Sequence, residues 1–307
     1  MESAELRIFQ AVAREGTITK AAEKLGYVQS NVTARIRQLE TELGTALFHR
    51  HNRGMILSSA GKTLLDYADK IVGLLDEATK AVSWSDKPGG PLAIGSTQTA
   101  AAVRLPKLLA SFHREHPDVS LSLTTSHSQG LIDKVLRYEL DGAFIGCSCN
   151  HPVLRSMHAF DEELVIVAPP AVRDLPDALK KPVLVFSIGC SYREVLESWL
   201  ETTGRDRTAT MEFGTLEAII GGVGAGLGIS LMPRSVSGKL EKDGTLRAFS
   251  LPPSFAHMRT EFITRKDAAM SRALEAFIGT IPSPSGIGED ESPSATRRAS
   301  PRTAPSI

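Results

Sequence analysis

The stretch TITKAAEKLGYVQSNVTARIRQLE, residues 17–40, decides the fold of the N-terminal part of the chain. Two alanines and Leu25 form the apolar face of one short helix, and Gly26 ends it. A second apolar series follows at helical spacing, at Val32, Ile36, Leu39 and Leu43. Two helices joined by a tight turn with glycine predict a helix-turn-helix, whose second helix enters the major groove of DNA.

The second helix starts with side chains that suit base edges and phosphates. Gln29 can pair bidentately with adenine, and an arginine can pair in the same way with guanine. Asn52 and Gly54 then predict the turn of a small β-hairpin, which would form a wing beside the helices. The predicted DNA contacts are Thr19, Gln29, Ser30, Asn31, Thr33, Arg35, Arg37, Arg50 and Arg53. Helical spacing alone is equally compatible with a plain helical subdomain.

The overall charge excludes a histone-like polycation, because the chain has 35 Lys and Arg against 35 Asp and Glu. Residues 1–58 have eight Lys and Arg against six Glu, so the local excess is small. Affinity for DNA grows with the number of phosphates contacted, so one copy of the predicted domain should bind weakly. Double-stranded DNA as a partner therefore predicts an oligomer.

Residues 59–85 predict one long helix that could supply this oligomer. Its apolar positions alternate spacings of four and three, at Leu64, Ala68, Ile71, Leu75, Ala78 and Val82. Such a heptad pattern is typical of a coiled-coil seam. An amphipathic helix packed on its own chain is the alternative. Residues 86–91 contain prolines and glycines and predict a linker.

Residues 92–281 alternate apolar strands with helical segments, which predicts α/β units with mostly parallel sheets and, given their length, two lobes. The predicted strands are 92–95, 119–124, 142–147, 164–168, 182–186, 228–232 and 259–264. Residues 283–307 are rich in proline and serine and contain no Leu, Val, Phe, Met, Trp or Tyr, so we expect a disordered tail.

Polar side chains follow several of the predicted strands at the point where a helix begins, where open α/β sheets bind ligands. The predicted effector contacts are Thr97, Gln98, Thr99, Ser128, Cys190, Ser191, Tyr192 and Thr215. Free amides at helix starts favour an anion. Ordinary capping of helices by Ser and Thr is the alternative for any one of these hydroxyls.

The N-terminal residues resemble those of LysR-type transcriptional regulators. The matching residues are Phe9, Gly16, Thr19, Ala21, Ala22, Leu25, Gln29, Val32, Thr33, Ile36, Leu39, Glu40, Leu43, Gly44, Leu47, Phe48, Arg50, Arg53, Leu57, Ala60 and Gly61. Asn31, Thr33 and Ala34 depart from the family's usual residues on the recognition helix, which leaves the operator sequence open.

This resemblance implies a winged helix-turn-helix over 1–58, a dimerising linker helix over 59–87 and an effector-binding region over 88–281. The last resembles periplasmic solute-binding proteins, with a first lobe of 91–162 and 266–281 and a second lobe of 163–265. The tail, 282–307, has no counterpart in the family. A homodimer or homotetramer, a small effector and RNA polymerase are the partners implied, and no cofactor is expected.

Three other features of the sequence bear on a redox, a metal or a dinucleotide site. Cys190 at a predicted helix start should have a lowered thiol pKa, which leaves a redox-sensing regulator as an alternative. Cys147 and Cys149 form a CxC pair, too weak a pattern to predict a metal site. The glycine-rich segment 221–228 precedes a strand instead of following one, which argues against a dinucleotide site.

The sequence also argues against other classes of protein. It contains no GxSxG, Walker or HExxH motif, so we expect no enzyme. No apolar run is long enough for a membrane span, and the N-terminus has no secretory pattern. We therefore expect a cytoplasmic protein without membrane contact, and not a solute-binding module alone.

Overall fold

The computed structural model describes residues 1–51, 54–82, 87–204 and 209–282. Arg53, at the tip of the predicted hairpin, and the predicted tail from residue 283 onward lie outside the described residues. Within these ranges, no helix combines the length and the apolar character needed to cross a membrane.

The N-terminal domain contains the predicted helix-turn-helix. Its elements are α1 (Ser3–Glu15), α2 (Ile18–Leu25), α3 (Gln29–Leu43), β1 (Phe48–His51) and β2 (Gly54–Leu57). Phe9 of α1 and Ile36 of α3 are fully buried and hold the helices together. Strands β1 and β2 pair antiparallel, and the Met55 amide donates to the Gly16 carbonyl (2.7 Å), which ties this wing to the turn before α2.

Helix α4 (Ser59–Val82) is capped by Ser58, whose hydroxyl accepts from the Gly61 amide (2.9 Å). Ala68 is fully buried and Leu64 is half-buried, and both pack into the core of the N-terminal domain. The first part of α4 is therefore an integral part of that domain. The residues after Val82, which we predicted to extend the helix to 85, lie outside the described part.

The C-terminal region alternates strands and helices, as the sequence predicts. Its elements are β3 (Gly90–Ser96), α5 (Gln98–Val103), α6 (Leu105–Glu115), β4 (Val119–Thr125), α7 (Ser128–Leu136), β5 (Gly142–Ile145), β6 (Leu154–Ala168), α8 (Leu175–Ala178), β7 (Val183–Val185), α9 (Ser191–Thr202), β8 (Thr210–Glu212), α10 (Leu216–Gly224), β9 (Ser230–Pro233), α11 (Arg234–Lys242), β10 (Arg247–Ser250), β11 (His257–Arg265) and α12 (Arg272–Thr280). The sequence did not predict strands β8 and β10 or the first ten residues of β6. These segments contain polar residues that interrupt any apolar run.

The main sheet has the strand order β10-β6-β11-β5-β3-β4, and β9 also pairs with β6. Strand β3 is parallel to β4 and β5. The pairings of β6 with β9, β10 and β11, and of β11 with β5, are antiparallel. The prediction of mostly parallel strands is therefore wrong for this half of the sheet, because β6 and β11 run antiparallel through both cores.

The buried residues of the C-terminal region form three hydrophobic clusters, two in the first lobe and one in the second. The core of the first lobe contains Phe112, Phe144 and Phe277, and the core of the second contains Trp199 and the buried end of β6. Phe262 and Ile263 of β11 pack in the first lobe, although the predicted second lobe extended to residue 265. They do so because this part of β11 pairs with β5 of the first lobe.

The glycine-rich segment after α10 has a structural role. A Cβ on Gly228 would lie 2.3 Å from the Pro182 carbonyl oxygen, so only glycine fits this approach to the chain before β7. The segment leads into β9, which confirms that it precedes a strand.

Candidate nucleic-acid interface and ligand cavity

The first turn of α3 presents three predicted DNA contacts to solvent. Gln29, Ser30 and Asn31 are exposed, and Thr19 is exposed on the neighbouring α2. The Thr33 hydroxyl instead donates to the Gln29 carbonyl (2.8 Å), so it is partly engaged within the helix. The start of α3 therefore presents a polar surface that carries the side-chain amides of Gln29 and Asn31.

Arg35 differs from the other predicted contacts because it faces α1. Its Nη1 lies 3.7 Å from Oε1 of Glu5, a carboxylate that is only 2% exposed. Glu5 also accepts from the Glu2 amide (2.8 Å). Arg35 thus neutralises a buried charge within the domain, while Arg37 is exposed on the same helix.

The hairpin presents further polar side chains to solvent. His49 and His51 are exposed on β1, and alternate residues of a strand point to the same face. The backbone of Arg50, between them, pairs with Met55, while its side chain lies outside the described part. Neither histidine was among the predicted DNA contacts, which included only the arginines of the hairpin.

An exposed apolar stripe runs along one side of α4. It consists of Tyr67, Ile71, Leu74, Leu75, Ala78 and Val82, and we call it the α4 stripe. Of the predicted seam, Ala68 is fully buried and Leu64 is half-buried in their own domain, while the other four residues belong to the stripe. Tyr67 and Leu74 were missed because they lie beside the heptad positions.

A cavity of about 200 Å³ lies where the strand ends of the two lobes meet. Five of the eight predicted effector residues line it, namely Thr97, Gln98, Thr99, Cys190 and Tyr192. The other lining residues are Ser126, His127, Phe186, Ser187 and Gly214. Ser126 and Ser187 belong to polar runs that follow predicted strands, but the predicted contacts were other members of these runs.

Hydrogen bonds join the two lobes around this cavity. The Thr99 and Tyr192 hydroxyls lie 2.8 Å apart, and both side chains are buried. Nε2 of Gln98 donates to the Gly214 carbonyl (3.1 Å), and Oε1 accepts from the Leu216 amide (2.8 Å). Gln98 therefore uses its amide to hold the start of α10.

The remaining three predicted residues do not line the cavity. Ser191 donates to the Ser128 hydroxyl (3.0 Å), which also accepts from the Gly146 amide (3.1 Å), so this buried pair links the lobes. The Thr215 hydroxyl accepts from the Ala218 amide (3.2 Å) and caps α10. Thr215 therefore acts as an ordinary helix cap, which was the alternative to a contact with the effector.

His127 caps α7 with its ring, because Nδ1 accepts from the Gly130 amide (3.0 Å). This bond requires an unprotonated Nδ1, so the neutral ring carries its proton on Nε2. The ring packs against the backbone of Gly189 in the opposite lobe, where φ is +89°. This capping role could have been predicted from the sequence, because the histidine stands directly before a predicted helix.

The three thiols show no sign of activation. Burial raises the pKa of Cys190, which contradicts the lowered pKa that we predicted from its place at the start of α9. Burial also raises the pKa of Cys147 and Cys149. Strand β5 ends at Ile145, so these two cysteines do not share a strand face. The described residues contain no group of side chains that could hold a metal ion.

The lining of the cavity is uncharged and more apolar than polar. Among the described residues, its lining includes no Lys, Arg, Asp or Glu side chain. Burial raises the pKa of the Tyr192 phenol, which therefore stays protonated at neutral pH. Helices α7 and α9 begin directly after the cavity-lining residues His127 and Cys190. The polar groups of the lining are therefore mainly hydroxyls, and the Gly130 amide at the start of α7 is already capped by His127.

Comparisons with known proteins agree on one family for both parts of the chain. Residues 3–62 match the family described as bacterial regulatory helix-turn-helix protein, lysR family. Residues 85–283 match the LysR substrate binding domain.

Relatives cover most of the chain. An uncharacterised HTH-type transcriptional regulator of Bacillus subtilis, YusT, is 66% identical over 92% of this chain and 95% of its own length. The regulator SoxR of an Arthrobacter species is 44% identical over 92% of this chain and 96% of its own. The solved structure of full-length CbnR with its target DNA has the same fold, with a TM-score of 0.66, 22% identity, and coverage of 92% of this chain and 99% of that one.

Proposed function

The chain belongs to the LysR family of DNA-binding transcriptional regulators, and from that premise we propose that it recognises its operator through the start of α3 and responds to a small anion bound between its lobes. The exposed first turn of α3 carries the first half of this proposal. Gln29 has the amide that pairs bidentately with adenine in the major groove, where such a contact is worth about 1–3 kcal/mol of discrimination.

The DNA-binding half is tested by genome-wide mapping of bound sites, followed by affinity measurements on a recovered site and on its single-base variants. We expect Gln29→Ala to relax the preference at one base pair. Gln38→Ala is the matched control, because Gln38 is an exposed amide on the opposite side of the same helix. Equal base preference in both variants and the unmodified chain contradicts a specifying role for Gln29.

The cavity supports the second half of the proposal. The cavity measures about 200 Å³, which leaves room for a small ligand. This is below the range of about 300–1,000 Å³ of sites for drug-sized ligands. Hydroxyls and helix starts can hold an anion without a cation, and Phe186 offers an apolar wall. A small carboxylate or inorganic anion fits these properties.

Calorimetry with a panel of small carboxylates and inorganic anions tests this assignment. We expect Thr97→Val and Thr99→Val to weaken binding of the active compound at least about tenfold, since a hydrogen bond to a charged group contributes about 1.5–3 kcal/mol. Thr280→Val is the control, because it removes a hydroxyl on α12 outside the cavity. Unchanged binding in both cavity variants places the ligand elsewhere.

The α4 stripe supports an oligomer. Six apolar side chains exposed along one helix face favour burial against a second copy of the same helix. We propose a homodimer through this stripe, or a homotetramer built from such dimers, with RNA polymerase as a further partner. A dimer would present two copies of α3 and so double the phosphate contacts.

A further inference from the structure

Helix α7 spans the first lobe from the ligand cavity to the N-terminal domain. At its start, His127 lines the cavity and Ser128 is bonded to the second lobe through Ser191. Leu131 and Val135 are fully buried and anchor the helix in the first lobe. Its nine residues measure about 13 Å along the axis, so its far end lies well away from the cavity.

The far end of α7 reaches the N-terminal domain through a network of charges. Nη2 of Arg14, in α1, donates to Oδ1 of Asp69 (2.9 Å) and to Oε1 of Glu139 (2.9 Å). Asp69, in α4, is only 2% exposed and also accepts from Gln10 (2.6 Å). Lys134, in the last turn of α7, donates to Oε2 of Glu139 (2.9 Å). Helices α1, α4 and α7 therefore share one hydrogen-bonded network.

Beside this network, the backbone of α4 at Gly73 lies very close to the side chain of Tyr138. A Cβ on Gly73 of α4 would lie 2.3 Å from the Cβ of Tyr138, in the turn after α7. Tyr138 has a φ of +59°, and the guanidinium of Arg265 lies 4.0 Å from its ring centroid. The backbone conformation and the arginine both fix Tyr138, so no larger residue fits at Gly73 without moving the two domains apart.

The junction is polar and open, and not a continuous apolar core. A cavity of about 380 Å³ lies within it and is lined by Arg7, Asp76 and Arg137 among others. Half-exposed ion pairs contribute little to stability, and interfaces between domains of one chain commonly allow relative motion. Such a junction can change its arrangement at a small cost in free energy.

We propose that α7, with the Arg14–Glu139 pair and the Gly73–Tyr138 contact, couples the ligand cavity to the orientation of the helix-turn-helix. This inference rests on the proposed function and adds the physical connection between its two sites. A ligand that changes the arrangement of the lobes moves the start of α7 through Ser128 and Ser191. Because α7 is anchored along its length, its far end then moves against α1 and α4.

Hydrogen–deuterium exchange on the full-length protein tests the junction without requiring a known ligand or operator. Alanine normally stabilises a helix relative to glycine by about 1 kcal/mol, so it should slow exchange. Gly73→Ala should do the opposite at the junction, with at least about two- to fivefold faster exchange in α1 and in residues 134–140. Gly279→Ala, in α12 with open space around its Cβ, is the matched control and should leave the junction unchanged. Unchanged exchange in Gly73→Ala overturns the proposal.

A double-variant comparison tests the coupling itself. Ser128→Ala breaks the link to the second lobe and should accelerate exchange of the amides of residues 10–15. The same substitution should have no such effect in a Glu139→Gln background, where the far end of α7 is already released. Independent, additive effects overturn the coupling. Failure to recover bound DNA would instead contradict the proposed function, and these exchange results do not depend on DNA.

Discussion

Two opposing effects act on Cys190, at the start of α9. The positive end of a helix dipole stabilises a thiolate by about 0.3–1 kcal/mol at an exposed site. Removing a charge from water costs several times more when the site is buried. Burial is the larger effect here, and the pKa of Cys190 is raised. The sequence shows the helix start but not the depth of burial, which explains why the predicted direction was wrong.

We expect iodoacetamide at pH 7 to modify Cys190 more slowly than it modifies free glutathione, and to reach a comparable rate once the protein is unfolded. Because the folded pKa is raised, this thiol stabilises the fold fully below its usual pKa of about 8.5 and loses that contribution as the pH rises toward the folded pKa. The Cys190→Ser variant should therefore lose less stability between pH 8 and 10. Rapid modification of native Cys190 at pH 7 would instead favour the redox-sensing alternative.

The sequence predicted the location of the cavity better than its contacts. Thr97, Thr99 and Tyr192 were found because hydroxyls after a strand, at a helix start, meet at the same edge of a sheet. The same argument selected Ser128 and Ser191, which instead bond to each other. That bond depends on how the lobes meet, and local spacing contains no information about it. Phe186 was not predicted, because an apolar side chain does not stand out at the end of an apolar strand.

At the scale of elements, α4 combines the two alternatives that its pattern left open. Asp69, Val72 and Gly73 face the chain's own domains, as in an ordinary amphipathic helix. The α4 stripe lies on the opposite side and is exposed. A periodic apolar pattern shows which side of a helix is buried but not by which chain, so the early part of the seam was assigned to the wrong partner.

Leu75→Asp tests the stripe as a dimer contact. The leucine is 42% exposed in the single chain, and the aspartate would be buried without a partner in a dimer. We expect the dimer dissociation constant to rise at least about tenfold in sedimentation velocity, together with weaker operator binding. Thr63→Asp adds the same charge to an exposed position of α4 outside the stripe and should sediment like the unmodified protein. Identical sedimentation of both variants contradicts dimerisation through this stripe.

At the scale of the whole molecule, one carboxylate connects the two lobes away from the cavity. Glu162 of β6 is 4% exposed and accepts from Nε (2.7 Å) and Nη2 (3.0 Å) of Arg104, in the first lobe. Its Oε2 also accepts from the hydroxyl of Ser235 (2.9 Å), in α11 of the second lobe. These residues are far apart in sequence, so no motif could have predicted their contact. Arg104 and Ser235 thus attach both lobes to strand β6 and help to define the cavity between the lobes.

Arg104→Met should destabilise the protein by leaving the Glu162 carboxylate buried without its cation. Breaking a fully buried pair costs about 3–5 kcal/mol, and the 35% exposure of Arg104 reduces the expected loss to about 1–3 kcal/mol. Adding Glu162→Leu should recover part of that loss in urea unfolding, because the unpaired charge is then gone. Glu275→Gln, which breaks an exposed pair with Arg272 on α12, is the control and should change the free energy of unfolding by no more than about 0.5 kcal/mol. The pair does not hold the lobes together if Arg104→Met lowers the free energy of unfolding no more than this control does, or if the effects of the two substitutions at the Arg104–Glu162 pair simply add. In that case the hydrogen bonds around the cavity must hold the lobes together alone.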